Sequence, residues 1–236
     1  FANNDDLINY SATISSLPID SLIKAGGKQN AESELSSLPF PPLPATAKHR
    51  ALRLACLTRA YAPLWEEAAP GLTPLPWSLD DPRLPSVDPG PTWSRDTALR
   101  TDFARRMALV EIDVLVARAL GLTLEQLQEI YRIYFPVLQE NEQGTWYDRN
   151  GRIVWTCSKG LPGVGWLDNG KSPGRAAWEK KLATNPQVLR CTAIDDAQPG
   201  GPREIERVFE GPFETCDRAT DYARAWAHFD AMEGHA

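Results

Sequence analysis

The sequence predicts an α+β fold with a mostly helical body and small antiparallel hairpins. Residues 101–155 carry the three observations behind this prediction. Apolar residues recur at helical spacing through residues 103–120. A second apolar periodicity ends at Pro136, because the residue before a proline avoids the helical region. Asn150-Gly151 lies between β-favouring residues, which is the strongest short-range signal of a hairpin, and it predicts a turn with both residues at positive φ.

The two central helices have predictable ends. Gly121 stands where a left-handed C-terminal cap is favoured. Thr123, followed by Gln126, has the spacing of a capping box and opens the second helix. A final helix is expected to begin after Asp217, with an aromatic stripe on one face. The helical spacing in these three helices predicts the following core residues: Leu115, Leu120, Leu127, Tyr131, Phe135, Trp226 and Phe229.

The flanking segments are predicted in the same way. Residues 7–17 show a partial helical stripe, and four prolines within residues 39–44 exclude helix and regular strand, which indicates an extended linker. We therefore place a domain boundary between residues 1–45 and 46–236. The region 49–137 is predicted to be mostly helical. Further elements are expected as a helix at 49–65, an irregular proline-rich excursion at 69–92 pinned by Trp77 and Trp93, a short helix at 178–182, and strands at 187–192 and 204–209.

Charged residues inside apolar surroundings raise two questions of function. Glu111 and Asp113 interrupt the first central helix. They are either catalytic carboxylates or buried partners of Arg105, Arg106, Arg118 or a helix terminus, and pairing is favoured because buried charges are rarely left unpaired. The helix at 49–65 carries a basic stripe formed by Arg50, Arg53 and Arg59. This stripe could contact DNA or a neighbouring domain, but a face exposed to solvent is favoured.

Composition excludes several classes of protein. No run of about 18 apolar residues is present, so no membrane span is expected. Four separated cysteines without a Cys-x-x-Cys pair, and three histidines, argue against a zinc site and favour free thiols in a cytoplasmic protein. The net charge of −6 argues against general nucleic-acid binding but permits a local basic loop. The chain starts at Phe1 without an initiator methionine, which predicts a preceding segment.

One segment has the composition of a nucleic-acid contact. It comprises Lys24, Ala25, Gly26, Gly27, Lys28, Gln29 and Asn30. Lysines neutralise phosphates, glycines let a backbone approach closely, and Gln or Asn reads an adenine edge. The alternative is a solvated turn, which composition favours. The segment is not a Walker loop, because the required glycine spacing is missing. Residues 157–165 are also glycine-rich, but they are a weak candidate for a nucleotide site because no suitable helix follows them.

Catalytic signatures are missing from the sequence. Three scattered histidines make no Ser-His-Asp arrangement, and no glycine-rich fingerprint opens a βαβ unit. The isolated chain is therefore not a convincing enzyme, and no cofactor is expected to bind it.

Several blocks resemble the C-terminal region of large class I S-adenosylmethionine-dependent DNA adenine methyltransferases, of the type IIG restriction-modification kind and their relatives in phage-defence systems such as DISARM. The N-terminal SLPIDSLIKAGGKQNAESELSSLPFP resembles the end of their target-recognition domain. Together the blocks cover most of the chain: RALRLACLTRAYAPLWEE, RRMALVEIDVLVARALGLTLEQLQEIYRIYFPVL, TWYDRNGRIVWTCSKGLPGVG and DDAQPGGPREIERVFEGPFETCDRATDYARAWAHF.

The resemblance implies a DNA-recognition and structural role within an N6-adenine methyltransferase. The family's cofactor loop and its Asn-Pro-Pro-Tyr/Phe tetrapeptide do not occur here. No catalytic residue is therefore assigned, and the resemblance implies that methyl transfer from S-adenosylmethionine, if it belongs to the same polypeptide, takes place upstream of Phe1. The implied partners are double-stranded DNA, a methyltransferase catalytic domain and other defence-system subunits. An alternative of a different class is a scaffold that docks a helicase or another defence subunit without touching DNA.

Overall fold

The computed structural model describes residues 3–26, 38–196 and 199–233. These residues form a mostly helical α+β fold with two small antiparallel hairpins, which confirms the predicted class. The helices are α1 (Asn4–Ile14), α2 (Leu17–Ala25), α3 (Ala45–Ala55), α4 (Ala62–Ala68), α5 (Asp102–Ala119), α6 (Leu124–Tyr134), α7 (Pro136–Gln143), α8 (Arg175–Leu182) and α9 (Arg218–Glu233). The strands are β1 (Thr145–Tyr147), β2 (Ile153–Thr156), β3 (Val188–Asp195) and β4 (Arg203–Glu210).

The chain divides into two compact units. Unit 1 comprises Phe1–Arg100, Ala104–Pro136 and Arg218–Ala236, and unit 2 comprises Thr101–Phe103 and Val137–Asp217. Helices α1 and α2 pack in unit 1 against α3 and α6. The assignment of residues 1–45 to the end of a target-recognition domain stays a prediction.

The N-terminal region folds as two helices where the sequence suggested one over residues 7–17. Helix α1 begins after Asn3, whose side chain accepts a hydrogen bond from the Asp6 amide at 2.8 Å. The chain then turns, and Pro18 falls in the first turn of α2. Proline is favoured there because its missing N–H and fixed φ suit a helix start and disrupt a helix interior.

The single helix predicted over residues 49–65 is wrong, because α3 ends at Ala55. In a continuing helix the Arg53 carbonyl would accept from the Leu57 amide. It accepts instead from the Leu99 amide at 2.9 Å, a residue distant in the sequence. Helix α4 then restarts with Pro63 in its first turn. A tertiary hydrogen bond has thus broken a helix that local propensity favours.

The predicted ends of the central helices are confirmed. Gly121 has a φ of 74°, and the Leu122 amide donates to the Ala117 carbonyl at 2.9 Å, as in a Schellman cap. Thr123 and Gln126 form both hydrogen bonds of the capping box. Helix α7 begins at Pro136, directly after α6 has ended.

Most of the predicted core is confirmed. The buried members are Leu115, Leu127, Tyr131, Phe135 and Phe229. Leu120 and Trp226 are only half-buried. Leu127 is fully buried at the centre of α6, and Tyr131 packs edge-on against Tyr222 at 5.9 Å between ring centroids, so the apolar face of α6 is assigned correctly.

Replacing Leu127 with alanine should lower the free energy of unfolding by about 2–5 kcal/mol, because a fully buried large side chain leaves a cavity. Urea unfolding followed by circular dichroism measures this. The control is Ile133→Ala, on the same helix and 53% exposed, which should change stability far less. An unchanged midpoint in the Leu127 variant would contradict the packing described for α6.

In unit 2 the predicted hairpin is present, but its turn differs from the prediction. Of the two turn residues only Gly151 has a positive φ, at 77°. The Asp148 carboxylate accepts from the amides of Asn150 and Arg152, both at 2.9 Å. This side-chain bonding stabilises a longer turn in which only the glycine position is left-handed. A side chain at Gly151 would also meet Phe103, 3.1 Å from its Cβ.

The second predicted hairpin is formed by β3 and β4, which pair in regular antiparallel register. One face of it covers a tryptophan-rich cluster with these buried members: Val154, Trp155, Trp166, Trp178, Leu189 and Phe209. Trp178 stacks on Trp155 with ring centroids 5.8 Å apart. The intervening loop returns to β2, because the Trp166 amide donates to the Val154 carbonyl at 2.7 Å.

Candidate nucleic-acid interface

The segment predicted to contact DNA begins at the C-terminal end of α2. Lys24 lies in the last helical turn, and Gly26 is the exposed cap residue, with an unstrained φ of −66°. The start of the segment is therefore helical where a loop was expected. Gly27, Lys28, Gln29 and Asn30 lie outside the described residues.

The Lys24 side chain is exposed and held by two contacts within unit 1. Its Nζ lies 3.1 Å from Asp20 Oδ2 and 3.7 Å from the centre of the Phe135 ring. Both side chains of the ion pair are more than 40% exposed, at 44% and 43%. Such a pair contributes at most about 1 kcal/mol, so the amine can exchange its carboxylate for a phosphate at little cost.

The two carboxylates inside α5 are structural partners of buried cations, as favoured from the sequence. Glu111 is fully buried, and its Oε2 accepts from Arg50 Nε at 2.8 Å. Its Oε1 accepts from the Ser78 amide at 2.7 Å. The predicted partners Arg105, Arg106 and Arg118 are wrong for this residue, because α3 places Arg50 against the carboxylate.

Asp113 is buried in a second network of unit 1. Its Oδ2 accepts from Arg218 Nη1 at 2.8 Å and from the Tyr222 hydroxyl at 2.6 Å. Its Oδ1 accepts from the Leu17 amide at 2.7 Å, at the first residue of α2, which is the helix terminus anticipated as one alternative. Burial raises the pKa of Asp113, and these three donors oppose that rise.

The neighbouring tyrosine acts as a hydrogen-bond donor. Burial and the adjacent Asp113 carboxylate raise the pKa of Tyr222 well above its usual value, so the hydroxyl keeps its proton. Every oxygen of Asp113 is thus occupied by a donor of the fold. Neither this carboxylate nor Glu111 is placed to act on an external substrate.

The arginine stripe of α3 is not the solvated face that the sequence favoured. Arg50 and Arg53 are fully buried, and only Arg59, which lies beyond the end of α3, is exposed. Arg53 donates to the Thr97 carbonyl at 2.9 Å and to the Ser86 carbonyl at 2.6 Å. Backbone carbonyls of an irregular segment that face the interior need donors, and arginine offers five in a fixed fork.

The proline-rich excursion is held by these arginines. Arg50 donates to the Leu75 carbonyl at 3.1 Å, and its guanidinium lies 3.8 Å from the centre of the Trp77 ring. Trp93 donates from Nε1 to the Cys56 carbonyl at 3.0 Å. The prediction that Trp77 and Trp93 pin this segment is confirmed. The role of the arginines was missed, although an irregular segment with seven prolines needs such donors.

His49 lies beside this arginine pair, with its ring edge-on to Trp65 at 5.6 Å between centroids. Its Nδ1 is buried without a hydrogen-bond partner among the residues described. Burial lowers its pKa to about 3, with help from the positive charges of Arg50 and Arg53, while Asp88 opposes the shift. The folded protein therefore holds this ring neutral.

We expect acidification to destabilise the fold through His49. In the unfolded chain this histidine takes up a proton near pH 6.5, and in the folded chain only near pH 3. Its contribution is therefore complete above pH 6.5 and is lost as pH falls toward 3, by at most about 1.4 kcal/mol per pH unit. Urea midpoints at pH 7 and pH 5 for the native chain and for His49→Gln test this. An equal loss of stability in both proteins would contradict it.

The buried thiol and the possible metal ligands in the described part of the chain do not form a second site. Burial raises the pKa of the Cys56 thiol to about 11, so it stays protonated. Among the described residues, no group of three or more His, Cys, Asp or Glu side chains is arranged to hold a metal ion. None of the helices described combines the length and apolarity that crossing a bilayer requires.

The described fold and its networks define a helical α+β framework in which Lys24 lies at the exposed end of α2. No family model, no curated protein and no solved structure matches this chain.

Proposed function

We propose that this chain is the DNA-recognition and structural C-terminal part of a DNA N6-adenine methyltransferase in a restriction-modification or phage-defence system. The observation that carries the proposal is the position of Lys24 and Gly26. They stand at the exposed end of α2, directly before Gly27, Lys28, Gln29 and Asn30 in the sequence. The resemblance of the sequence blocks to such enzymes supports the same role.

In this role each residue type of the segment has a separate task. Lys24 and Lys28 neutralise phosphates, and the glycines let the backbone approach the duplex. The amide of Gln29 or Asn30 reads an adenine edge with two hydrogen bonds, worth about 1–3 kcal/mol of discrimination. S-adenosylmethionine and the flipped adenine are held by the methyltransferase domain, which is the expected partner of this chain.

The helical body of unit 1 supplies the rigid support that such recognition needs. Buried ion pairs link α3 to α5 through Arg50 and Glu111, and α5 to α9 through Asp113 and Arg218. The Asp113 carboxylate also accepts from the first amide of α2. The helix that carries Lys24 is thereby anchored at its opposite end, so a contact made by its exposed end has a defined position.

Removing both lysines, Lys24→Ala with Lys28→Ala, should weaken DNA binding on all sequences and lower the slope of log affinity against log salt by about two. Asn30→Ala should instead relax sequence preference. Fluorescence anisotropy of the full-length enzyme on cognate and scrambled duplexes, at several salt concentrations, measures both effects.

The matched control is Arg132→Ala with Arg224→Ala, which removes the same charge from two exposed arginines that are paired with Glu129 and Asp221. It should leave the slope unchanged. If the double lysine variant keeps both its affinity and its slope, the segment is a solvated turn, and the DNA-recognition proposal loses its support.

A second candidate function is a scaffold that docks another defence subunit, such as a helicase, without contacting DNA. Helix α6 favours it, because Leu122, Ile130, Glu125 and Glu129 line an open groove of about 550 Å³. Ile133, on the same helix, is 53% exposed. Half-buried apolar side chains beside two glutamates suit a protein partner better than a phosphate backbone. Loss of partner co-purification in Ile130→Asp, with DNA affinity unchanged, would favour this candidate.

A further inference from the structure

The ten basic residues of unit 2 fall into two groups according to their partners. Four are paired with carboxylates: Arg149 with Glu210, Arg152 with Asp148, Arg190 with Glu206, and Arg203 with Asp195. Arg207 donates to the carbonyls of Gly163 and Gly165. Within 137–196 and 199–217, the remaining five make no ion pair: Lys159, Lys171, Arg175, Lys180 and Lys181.

All five unpaired cations lie in residues 157–183, on α8 and on the loop that precedes it. The same residues contain only two acids, Asp168 and Glu179, so their charge is five minus two, or +3. The whole chain carries −6. An unpaired positive region on an acidic chain raises the local concentration of polyanions.

The geometry fixes two of these cations over one tryptophan cluster. The Arg175 guanidinium lies 5.8 Å from the centre of the Trp155 ring, and Lys181 Nζ lies 5.3 Å from that of Trp166. Trp155 also donates from Nε1 to the Pro173 carbonyl at 2.8 Å, which ties the loop to this cluster. The cations therefore extend from a packed base and lose little side-chain entropy on binding a ligand.

The loop backbone is also open to a ligand. A side chain built at Gly163, Gly170 or Gly174 would meet nothing within 4 Å. Asn169 and Gly170 have positive φ values of 49° and 76°, so a tight turn presents Lys171 directly after it. Lysines beside glycines that leave room for a close approach are typical of contacts to phosphate oxygens, which position a protein without reading sequence.

We propose that Lys159, Lys171, Arg175, Lys180 and Lys181 form a second DNA contact, to the phosphate backbone of the duplex. The proposal rests on the proposed function, since it assumes that the protein binds DNA. It differs from the α2 segment, in which Gln29 or Asn30 reads a base edge, because contacts to phosphates carry no sequence information. Duplex DNA is the occupant that this charge pattern favours.

The test is the triple variant Lys159→Ala, Lys171→Ala and Lys180→Ala, which removes exposed side chains and leaves the tryptophan cluster intact. Anisotropy titrations of the full-length enzyme on a duplex, at about 50–200 mM salt, should show at least about tenfold weaker binding at the lowest salt and a slope lower by about three. Cognate and scrambled duplexes should be affected equally.

The matched control is Arg149→Ala, Arg190→Ala and Arg203→Ala, which removes the same charge from exposed arginines of unit 2 that are already paired. It should bind within about twofold of the native protein. If both triple variants lose affinity equally, net charge explains the effect and the proposed contact is wrong. If the lysine variant binds as tightly as the native protein, the contact is also wrong, but the proposed function stands. If the native protein does not bind DNA, the proposed function fails as well.

Discussion

Replacing Glu111 with alanine should lower the free energy of unfolding by about 3–5 kcal/mol, because it leaves the buried Arg50 guanidinium without its carboxylate. The side chains of both residues are fully buried, and the Ser78 amide also loses its acceptor. An uncompensated charge in a low-dielectric interior costs more than the pair itself contributes. Urea denaturation, with the m-value as a check on the two-state transition, measures the loss.

Two comparisons separate the buried charge from a general effect of removing a carboxylate. Glu129→Ala breaks an exposed pair with Arg132 and should cost less than about 1 kcal/mol. Arg50→Met with Glu111→Leu removes both charges and should recover part of the loss. If Glu111→Ala is no less stable than Glu129→Ala, the buried pairing described for α3 and α5 is wrong.

Asp113→Ala should be comparably destabilising, with a loss of about 3–5 kcal/mol, because three donors lose one acceptor. Arg218 loses its buried ion pair with Asp113, and the first amide of α2 loses its acceptor. Tyr222→Phe, by contrast, removes one hydrogen bond and leaves the ion pair in place. That change should cost only about 0.5–1.5 kcal/mol.

Thermal unfolding of the two variants side by side tests this ranking. Hydrogen exchange of α2 adds a local readout, because the Leu17 amide is bonded to Asp113. Faster exchange at the start of α2 is expected in Asp113→Ala and not in Tyr222→Phe. A larger loss in the tyrosine variant would show that its hydroxyl, and not the Arg218 ion pair, dominates the network.

These networks explain why acidic residues within a central helix did not signal catalysis. Glu111 and Asp113 are saturated by donors from elements distant in sequence, and their arginine donors are themselves buried. The sequence was sufficient to favour pairing over catalysis, because unpaired buried charge is costly whatever the fold. It was not sufficient to name Arg50 or Arg218, because several arginines of similar chemistry were available.

Features governed by neighbours in the chain were determined by the sequence itself. Gly121 and the Thr123–Gln126 capping box set the end of α5 and the start of α6 through bonds that reach only a few residues. Pro136 ends α6 because it keeps Phe135 out of the helical conformation. The position of the hairpin at Asn150-Gly151 was likewise local. Such signals predict an element because both partners of each decisive bond lie within one turn or one helix end.

Only the tertiary structure decided features whose partners lie far apart in the chain. Helix α3 ends where the Leu99 amide donates to the Arg53 carbonyl. Arg50 and Arg53 are buried because they donate to carbonyls of the proline-rich segment. Periodicity cannot reveal these contacts, since a basic helical stripe looks the same whether water or an irregular backbone covers it. The physical reason is that buried backbone groups must be paired, and the fold determines which side chains reach them.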